Sequence, residues 1–341
     1  MEKIIMHHRS AHHAQKSGYG RLADYLKGWS LPYLDSKFPY ALAKQMAKLF
    51  DQKAGNYDTI SLIKDYELLK QLITSQRNNG IVHYLNAERD IRLGIALNLY
   101  FKKYKFIASF HKPPEILSTA IQDTYYLKKL NGAIAVGKNQ VDFLKNWLDL
   151  ENVKFIPHGV DTVFFRPDAS KRKENTVLFV GQHLRDFDAL NYAIPRLKAQ
   201  NPKVKINAVL RKDFTNKIVS NDAVTVFSGL GDESLRTMYQ EASILFLPLN
   251  NGTACNSILE AMACGLPIIS TDVGSNADYV KNDAGILVPA NDYKALVDET
   301  VLLLKDNNKQ LDMSKKARSN SLDFEWGNVA LEIQFFYNEI M

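Results

Sequence analysis

Short apolar runs alternate with helical segments along the whole chain, in two successive series. The first series is KIIMHH, GIVHYL, KFIASFH, GAIAVG and VKFIPHG, and the second is TVLFVG, KINAVL, AVTVFSG, ASILFLPL, LPIISTDVG and GILVPA. Apolar runs of this length, each followed by a helix, are typical of strands buried in a parallel sheet. The sequence therefore predicts an α/β fold in which two doubly wound domains face one another across a cleft.

The segments between these runs place apolar residues at helical spacing. They are GRLADYLKGW, ERDIRLGIALNLYFKKY, NQVDFLKNWLD, DALNYAIPRLKAQ, SLRTMYQEA, NSILEAMACG and YKALVDETVLLLKD. Residues 159–175 end in a polar stretch without periodicity, which predicts a linker. Because 341 residues are about twice the usual size of one domain, we expect one domain over residues 1–166 and another over residues 167–324.

The composition is that of a folded, soluble protein. Apolar residues make up 46% of the chain and charged residues 23%, a balance that supports ordinary buried cores. No run approaches the roughly 18 to 20 apolar residues of a membrane-spanning helix, and the N-terminus lacks the apolar core of a signal peptide. Only two cysteines occur, too few for a disulfide framework. We therefore predict a cytoplasmic protein.

Positive charge is concentrated in the first half of the chain. Residues 1–167 carry a net charge of +9 and the remainder −3, so the first half attracts anionic partners. The segment FPYALAKQMAKLFDQK predicts a helix with an apolar face beside lysines, made of Phe38, Leu42, Met46, Leu49, Phe50, Lys37, Lys44, Lys48 and Lys53. Such a helix can lie peripherally on the inner face of an anionic membrane. Packing of the same face on the core of the first domain is the favoured alternative.

The positions that follow the predicted strands are rich in glycine, histidine and arginine. They are Gly18, Gly20, His83, His111, His158, Gly181, Arg185, Arg211, Gly229 and Thr271. Ligands of open parallel sheets bind beyond the carboxyl ends of the strands. Glycine lets the backbone approach a ligand, and N–H groups at helix N-termini attract phosphate. These residues therefore predict a phosphorylated ligand in the cleft.

Four histidines near the N-terminus raise the question of a metal site: His7, His8, His12 and His13. Zinc normally requires three or four ligands with fixed supporting partners. No Cys, Asp or Glu lies between His7 and Asp24, so we expect no metal to bind here.

The most informative segment runs from Leu245 to Asp292. A strand ending at Pro248 is followed by a polar loop, and a helix that begins near Asn256 contains Glu260. A carboxylate at this place can accept hydrogen bonds from hydroxyl groups while the loop amides hold phosphate or sugar oxygens. Stabilisation of the helix dipole is the alternative role of Glu260.

The run Glu260-Ala261-Met262-Ala263-Cys264-Gly265-Leu266-Pro267 resembles the signature of family 4 glycosyltransferases of the GT-B architecture. In that signature a glutamate and seven further residues precede a second glutamate in an E-A-M-A-x-G-x-P run. Other segments resemble the family in the same order, namely 156–161 with 165–167, 178–181, 227–230, and 324–326 before a terminal helix. The resemblance extends over essentially the whole chain.

The resemblance implies a retaining, metal-independent glycosyltransferase with two Rossmann-like domains. Residues 1–166, together with a C-terminal helix 325–341 that crosses back to them, would bind a glycan or lipid-linked acceptor. Residues 167–324 would bind a nucleoside-diphosphate sugar. That sugar nucleotide is a co-substrate, so no cofactor is implied, and no nucleic acid is expected as a partner.

The resemblance also implies roles for individual residues. Arg185 and His111 would be the catalytic residues, with Arg185 on the departing diphosphate and His111 near the transferred sugar. The donor-binding residues would be Gly181, Arg185, Arg211, Lys212, Leu230, Thr253, Ala254, Cys255, Asn256 and Glu260. Among these, Glu260 would bind the ribose and the Leu230 backbone the base. The acceptor side would comprise Gly18, Tyr19, Gly20 and His111.

The chain departs from the family pattern at two places. The position eight residues before Glu260, where the family commonly has its first glutamate, is Gly252. The loop after the first strand of the second domain often contains Gly-Arg and a lysine in the family, whereas this chain has Gly181-Gln182-His183-Leu184-Arg185. Arg185 is the nearest cation, with Arg211 or Lys212 as a helper.

Three other functions remain open from the sequence. A nucleotide-sugar 2-epimerase shares the GT-B architecture but typically needs an acid/base carboxylate. A catalytically silent GT-B subunit that binds a partner or carbohydrate is conceivable because Gly252 offers no carboxylate. Nucleic-acid binding ranks last, because the basic half contains no recognised nucleic-acid module.

Overall fold

The computed structural model describes residues 2–6, 16, 18–31, 36–49, 57–75, 79–97 and 104–341. The chain divides into two compact units. The first comprises Met1–His12, Tyr19–His158 and Gly327–Met341, and the second comprises His13–Gly18 and Gly159–Trp326. The second unit thus begins at Gly159 and not at 167, because Val160 and Phe165 are buried in its hydrophobic core.

The first unit contains a parallel sheet with helices around it. Its described elements are β1 Glu2–Met6, α1 Leu22–Tyr25, β2 Trp29–Leu31, α2 Tyr40–Ala47, α3 Thr59–Thr74, β3 Gly80–Tyr84, α4 Leu93–Ala96, β4 Tyr104–Phe110, α5 Pro114–Ala120, β5 Gly132–Ala135, α6 Val141–Leu148 and β6 Val153–Phe155. The strand order among the described residues is β2-β1-β3-β4-β5-β6. The last helix of the chain, Trp326–Ile340, belongs to this unit except for its first residue.

The second unit repeats the same architecture. Its described elements are β7 Thr176–Val180, α7 Phe187–Gln200, β8 Lys205–Val209, β9 Val224–Phe227, α8 Asp232–Glu241, β10 Ile244–Leu247, α9 Asn256–Ala263, β11 Ile268–Asp272, α10 Asn276–Tyr279, β12 Gly285–Pro289, α11 Tyr293–Lys305 and α12 Asn307–Leu322. The terminal helix Trp326–Ile340 is α13. The parallel strands follow the order β12-β11-β10-β7-β8-β9. Two parallel sheets with surrounding helices confirm the predicted α/β class.

Every strand predicted from an apolar run is present, but two helix predictions are wrong in extent. The predicted helix over residues 20–29 is α-helical only at 22–25, because Lys27 takes a left-handed conformation and Gly28 packs against the Lys3 backbone to start β2. The predicted helix beginning at Glu88 starts at Leu93, where the Asp65 carboxylate accepts the N–H groups of Leu93 and Gly94. Part of that predicted helix, residues 98–103, lies outside the described residues.

The segment from Ile156 to Val160 contains a close approach between backbone and side chain. A Cβ added to Gly159 would lie 2.4 Å from Cε3 of Trp326, which is fully buried. The neighbouring Val160 N–H donates to the Phe324 carbonyl at 2.8 Å, which fixes the two segments against each other. Glycine is therefore required at 159 by packing.

We expect Gly159→Ala to lower the free energy of unfolding by about 1–2 kcal/mol, because the indole of Trp326 has to move in a filled core. Urea unfolding followed by tryptophan fluorescence measures this change. Gly252→Ala is the matched control, since its Cβ would find its nearest neighbour, Asn276 Oδ1, at 3.5 Å. Equal stability of the two variants would contradict the packing argument.

Candidate functional site

Arg185 lies in the loop after β7, and its guanidinium connects this loop to the first turn of α9. Nε donates to the Val180 carbonyl and Nη1 to the His183 carbonyl, both at 2.9 Å, and Nη2 donates to Ser257 Oγ at 3.1 Å. A half-buried cation is thereby held beside a helix N-terminus, whose partial positive charge also favours anions. This arrangement is suited to a phosphate group.

The loop around Arg185 depends on an unusual backbone. Gly181 has φ +88°, and a Cβ there would lie 2.8 Å from Nη2 of Arg185. Leu184 also has a positive φ, and its carbonyl accepts the Asn250 N–H at 3.0 Å. The loop after β7 is therefore fixed to the loop after β10, and the donor-binding role of Gly181 and Arg185 stays a prediction.

The loop between β10 and α9 packs closely on the turn after β11. Gly274 has φ +57°, and a Cβ there would lie 1.9 Å from the Gly252 carbonyl oxygen, which accepts the Ser275 N–H at 3.1 Å. At Gly252 itself a Cβ would meet only Asn276 Oδ1, at 3.5 Å. The fold thus leaves room for a Cβ at 252, so packing does not require glycine there.

The predicted loop residues before α9 differ in burial. Thr253 is buried, Ala254 and Cys255 are half-buried against the core of the second unit, and Asn256 is the first residue of α9. Cys255 and Cys264 are both free thiols. Burial raises the pKa of Cys264 to about 12, so that thiol is protonated at neutral pH.

Glu260 lies in the interior of the second unit, with 3% of its surface exposed. Its Oε2 accepts a hydrogen bond of 2.7 Å from the Tyr239 hydroxyl of α8. Burial raises the pKa of Tyr239 well above its ordinary value, so the phenol remains the donor. One carboxylate oxygen of Glu260 therefore has an internal partner, and the ribose role stays a prediction.

Arg211 and Lys212, the predicted helpers, follow β8 and are both exposed. The guanidinium of Arg211 donates to both carboxylate oxygens of Asp213, which raises the pKa of Arg211, and it lies 5.2 Å from the Phe214 ring. Arg211 is thus engaged in a surface ion pair. Leu230 is half-buried and follows Gly229, whose φ is +70°.

In the first unit, Tyr19 and two histidines form one aromatic cluster. The Tyr19 ring centroid lies 4.5 Å from that of His111 and 5.2 Å from that of His158, and the two imidazoles are 6.4 Å apart. Gly20 belongs to the same unit, whereas Gly18 belongs to the second unit. The structure therefore brings Tyr19, His111 and His158 together, and the acceptor-side role of Tyr19 and His111 stays a prediction.

Glu88 organises the turn that carries His111. Its Oε1 accepts the backbone N–H groups of His111 at 2.6 Å and Lys112 at 2.9 Å. The imidazole Nε2 of His111 lies 2.7 Å from the Leu85 carbonyl oxygen and donates to it, since a carbonyl can only accept. The ring of His111 is thus oriented by β3 and by its own turn.

Sequence reasoning missed three residues that the fold brings to these places: Ser257, Tyr239 and Glu88. His158 was named from sequence only for its place after a predicted strand, and no role was assigned to it. Ser257, Tyr239 and Glu88 carried no signal, because each acts through a contact with a residue that is distant in sequence.

Two general observations concern metals and membranes. Within the ranges that the structure describes, no three His, Cys, Asp or Glu side chains are grouped so that they could hold a metal ion. The histidines at 7, 8, 12 and 13 lie outside those ranges. None of the described helices is both long and apolar enough to cross a lipid bilayer.

Comparison with known proteins identifies a matching family in the second unit. Residues 161–320 match the family model of glycosyl transferases group 1. A phosphatidyl-myo-inositol mannosyltransferase of Mycolicibacterium smegmatis is 27% identical over 232 residues, which are 63% of this chain and 59% of the relative. A D-inositol 3-phosphate glycosyltransferase of Corynebacterium urealyticum is 28% identical over 55% of this chain and 51% of the relative. The chain thus spans between half and three-fifths of the length of these relatives.

Solved structures agree with the fold over the full chain. Sucrose-phosphate synthase of Thermosynechococcus elongatus has a TM-score of 0.74 at 16% identity, and the match covers 100% of this chain and 99% of the synthase. Anabaena HepE, solved with UDP-glucose, has a TM-score of 0.68 at 12% identity, and the match covers 99% of this chain and 100% of HepE. At these identities the likeness shows the fold alone.

Proposed function

We propose that this chain is a family 4-like glycosyltransferase of the GT-B architecture, which retains the anomeric configuration and needs no metal. It moves a sugar from a nucleoside-diphosphate sugar to an acceptor hydroxyl in the assembly of a glycan or glycolipid. The observation that carries the proposal is the position of Arg185 beside the N-terminus of α9, within the segment that matches the family. The names of the curated relatives support a glycolipid or inositol-containing acceptor.

The second unit supplies the electrostatics of the reaction. Negative charge grows on the diphosphate as the bond to the sugar breaks, and Arg185 and the α9 amides stabilise that charge. The acceptor hydroxyl attacks on the face from which the diphosphate departs, which retains the anomeric configuration. Since Gly252 offers no carboxylate, an oxygen of the departing phosphate accepts the proton of the acceptor hydroxyl.

The first unit orients the acceptor and the transferred sugar. His111 lies at the carboxyl end of β4, where ligands of parallel sheets bind, and the Leu85 carbonyl and Glu88 hold its ring and backbone. Tyr19 packs on the same imidazole. These two side chains offer hydrogen-bonding groups to sugar hydroxyls.

Nucleotide release measured with UDP-glucose, UDP-N-acetylglucosamine and GDP-mannose tests the proposal, with phosphatidylinositol vesicles or inositol 3-phosphate as acceptors. We expect one donor to stabilise the protein in a thermal-shift assay by about 2.7 kcal/mol at 100 times its dissociation constant. That donor should release its nucleotide only when an acceptor is added. Acceptor-independent release would favour the epimerase, and tight binding without release would favour the silent subunit.

We further propose that α2 contacts an anionic membrane surface. The helix buries its small residues Ala43 and Ala47 and leaves Leu42 46% exposed, and Leu49, in the turn after the helix ends, is 84% exposed. Phe38 and Met46 instead pack on a small hydrophobic core with Leu62 and Ile63, so the predicted apolar face is divided between core and surface. Phe50 and Lys53 lie outside the described residues.

We expect the protein to float with vesicles of phosphatidylcholine and phosphatidylglycerol and not with phosphatidylcholine alone. The double variant Lys44→Glu/Lys48→Glu should abolish flotation, because each juxtamembrane lysine contributes about 1 kcal/mol. Lys309→Glu/Lys315→Glu on the exposed face of α12 is the control with the same change in net charge. Equal recovery with both kinds of vesicle, or equal effects of the two double variants, would refute the membrane contact.

A further inference from the structure

Four polar side chains form a continuous hydrogen-bonded chain through the interior of the first unit. Tyr337 Oη of α13 lies 2.8 Å from His83 Nδ1, His83 Nε2 lies 2.8 Å from Ser109 Oγ, and Ser109 Oγ lies 3.1 Å from Tyr19 Oη. His83, Ser109 and Tyr337 are fully buried and Tyr19 is 8% exposed. These hydrogen bonds thus link α13, the neighbouring strands β3 and β4, and the segment after β1.

The charge state of His83 fixes the direction of these hydrogen bonds. Burial lowers the pKa of His83 to about 3, so the imidazole is neutral and has one donor and one acceptor nitrogen. Among the described residues, His83 is the one hydrogen-bond partner of the Tyr337 hydroxyl, and burial keeps that phenol protonated. Tyr337 therefore donates to Nδ1, and Nε2 carries the proton and donates to Ser109.

The same logic extends to Tyr19. Because Ser109 Oγ accepts from His83, its own proton is directed to its other partner, the Tyr19 oxygen. Tyr19 in turn packs edge-on against His111, with ring centroids 4.5 Å apart, and at a tilt against His158, with centroids 5.2 Å apart. The position of the His111 ring therefore depends on a chain of contacts that begins at α13.

A histidine that only filled space would not need such a set of partners. Burying polar groups is costly unless each is hydrogen-bonded, and an apolar residue in β3 would fill the same volume at lower cost. The described contacts give each of the four side chains a hydrogen-bond partner. They place Tyr19, the last of the four, at the carboxyl edge of the sheet beside His111.

We infer that His83, Ser109 and Tyr337 are positioning residues, which hold Tyr19 and through it His111 for recognition of the acceptor. This inference rests on the proposed function and deepens it, because it assigns a role to residues that do not touch the substrate. It requires that loss of the link between His83 and Ser109 impairs acceptor recognition and leaves the second unit unaffected.

Two substitutions at position 83 separate the hydrogen bond to Tyr337 from the hydrogen bond to Ser109. In His83→Gln the amide reaches the place of Nε2 and retains the contact with Ser109, whereas in His83→Asn it reaches the place of Nδ1 and retains only the contact with Tyr337. With the donor and acceptor of the transfer assay that give the highest wild-type rate, we expect His83→Asn and Ser109→Ala to raise the acceptor KM about 3- to 10-fold, the range of one lost hydrogen bond. His83→Gln should stay within about twofold of wild type, and the donor KM should not change.

Thr300→Val is the matched control, since it removes one fully buried hydroxyl hydrogen bond from α11 of the second unit. It should leave the acceptor KM unchanged. If Ser109→Ala leaves the acceptor KM unchanged while the wild type transfers sugar, this inference alone fails. If the wild type transfers no sugar to any acceptor, the proposed function fails and the acceptor role with it.

A measurement without substrate tests the hydrogen bonds of His83 directly. Long-range ¹H–¹⁵N spectra of the histidine-labelled protein should show His83 as the neutral tautomer protonated at Nε2 throughout pH 5–8. Tyr337→Phe should shift the Nδ1 resonance of His83 and retain the Nε2 proton. Titration of His83 within this range, or a tautomer protonated at Nδ1, would overturn the inference even if the variants had kinetic effects.

Discussion

Replacement of Arg185 by alanine is expected to lower the turnover number about 100-fold or more and to raise the donor KM by a much smaller factor. Charge on the diphosphate increases towards the transition state, so an interaction with that charge contributes more to catalysis than to ground-state binding. Removal of one group that stabilises developing charge typically costs about 100- to 1000-fold in rate. Steady-state kinetics with the preferred nucleotide sugar measures both constants.

The contacts of Arg185 call for two comparison variants. Arg185→Lys keeps the charge but loses the fork geometry that reaches Val180, His183 and Ser257, so it should recover only part of the rate. Ser257→Ala removes one contact of the guanidinium without removing its charge, and a small effect there assigns the loss in Arg185→Ala to the cation. The exposed Lys309 of α12 provides the control substitution to alanine.

Wild-type turnover in Arg185→Ala would refute the role of this arginine. The role would then pass to Lys212 or Arg211. Arg211 starts from a less favourable position, because its guanidinium is bound to Asp213 in the described structure and would have to exchange a carboxylate for a phosphate. A reduced turnover in both Arg185→Ala and Lys212→Ala would indicate a shared site.

The strands could be predicted from sequence because each carries its own signal. Buried parallel strands are continuous apolar runs, and the run TVLFVG forms β7 with every residue from Thr176 to Val180 buried. The short strand β2 could not be predicted because it is an edge strand in which Trp29 and Ser30 are exposed. The register of β2 depends on pairing with β1, which no local pattern reveals.

Parts of the site could be predicted for the same reason. Gly181, Arg185 and His111 follow strands, and that position alone directs them to the ligand-binding edge of a parallel sheet. Their partners could not be predicted, because Ser257 lies 72 residues from Arg185 and Tyr337 lies 254 residues from His83. Contacts over such separations arise from the fold and leave no periodic signal in the sequence.

The burial of Glu260 shows why a motif alone does not settle a residue's role. The E-A-M-A-x-G-x-P run predicted a carboxylate at the ligand-binding edge, whereas the structure gives Glu260 an internal hydrogen bond from Tyr239. A carboxylate held in this way can serve the core, the ligand or both. The two roles differ in what a substitution does to the donor KM.

Glu260→Ala is expected to raise the donor KM about 10- to 100-fold and largely to spare the turnover number. Hydrogen bonds to a charged group are worth roughly 1.5–3 kcal/mol. Because the ribose is remote from the bond that breaks, the ground state and the transition state lose the same binding free energy. Glu260→Gln should fall between wild type and Glu260→Ala, because it keeps an acceptor oxygen without the charge. Initial rates over a range of donor concentrations give both constants.

The internal hydrogen bond supplies the control for this prediction. Tyr239→Phe removes the hydroxyl that binds Oε2 of Glu260 but leaves the carboxylate in place, so it reports the structural share of any effect. A 2′-deoxyribose donor should be penalised in the wild type and in Tyr239→Phe, and much less in Glu260→Ala, where the partner of that hydroxyl is already missing. An equal penalty in all three proteins would assign Glu260 to the core. Lost turnover at saturating donor, with unchanged donor binding, would instead place Glu260 in the chemical step.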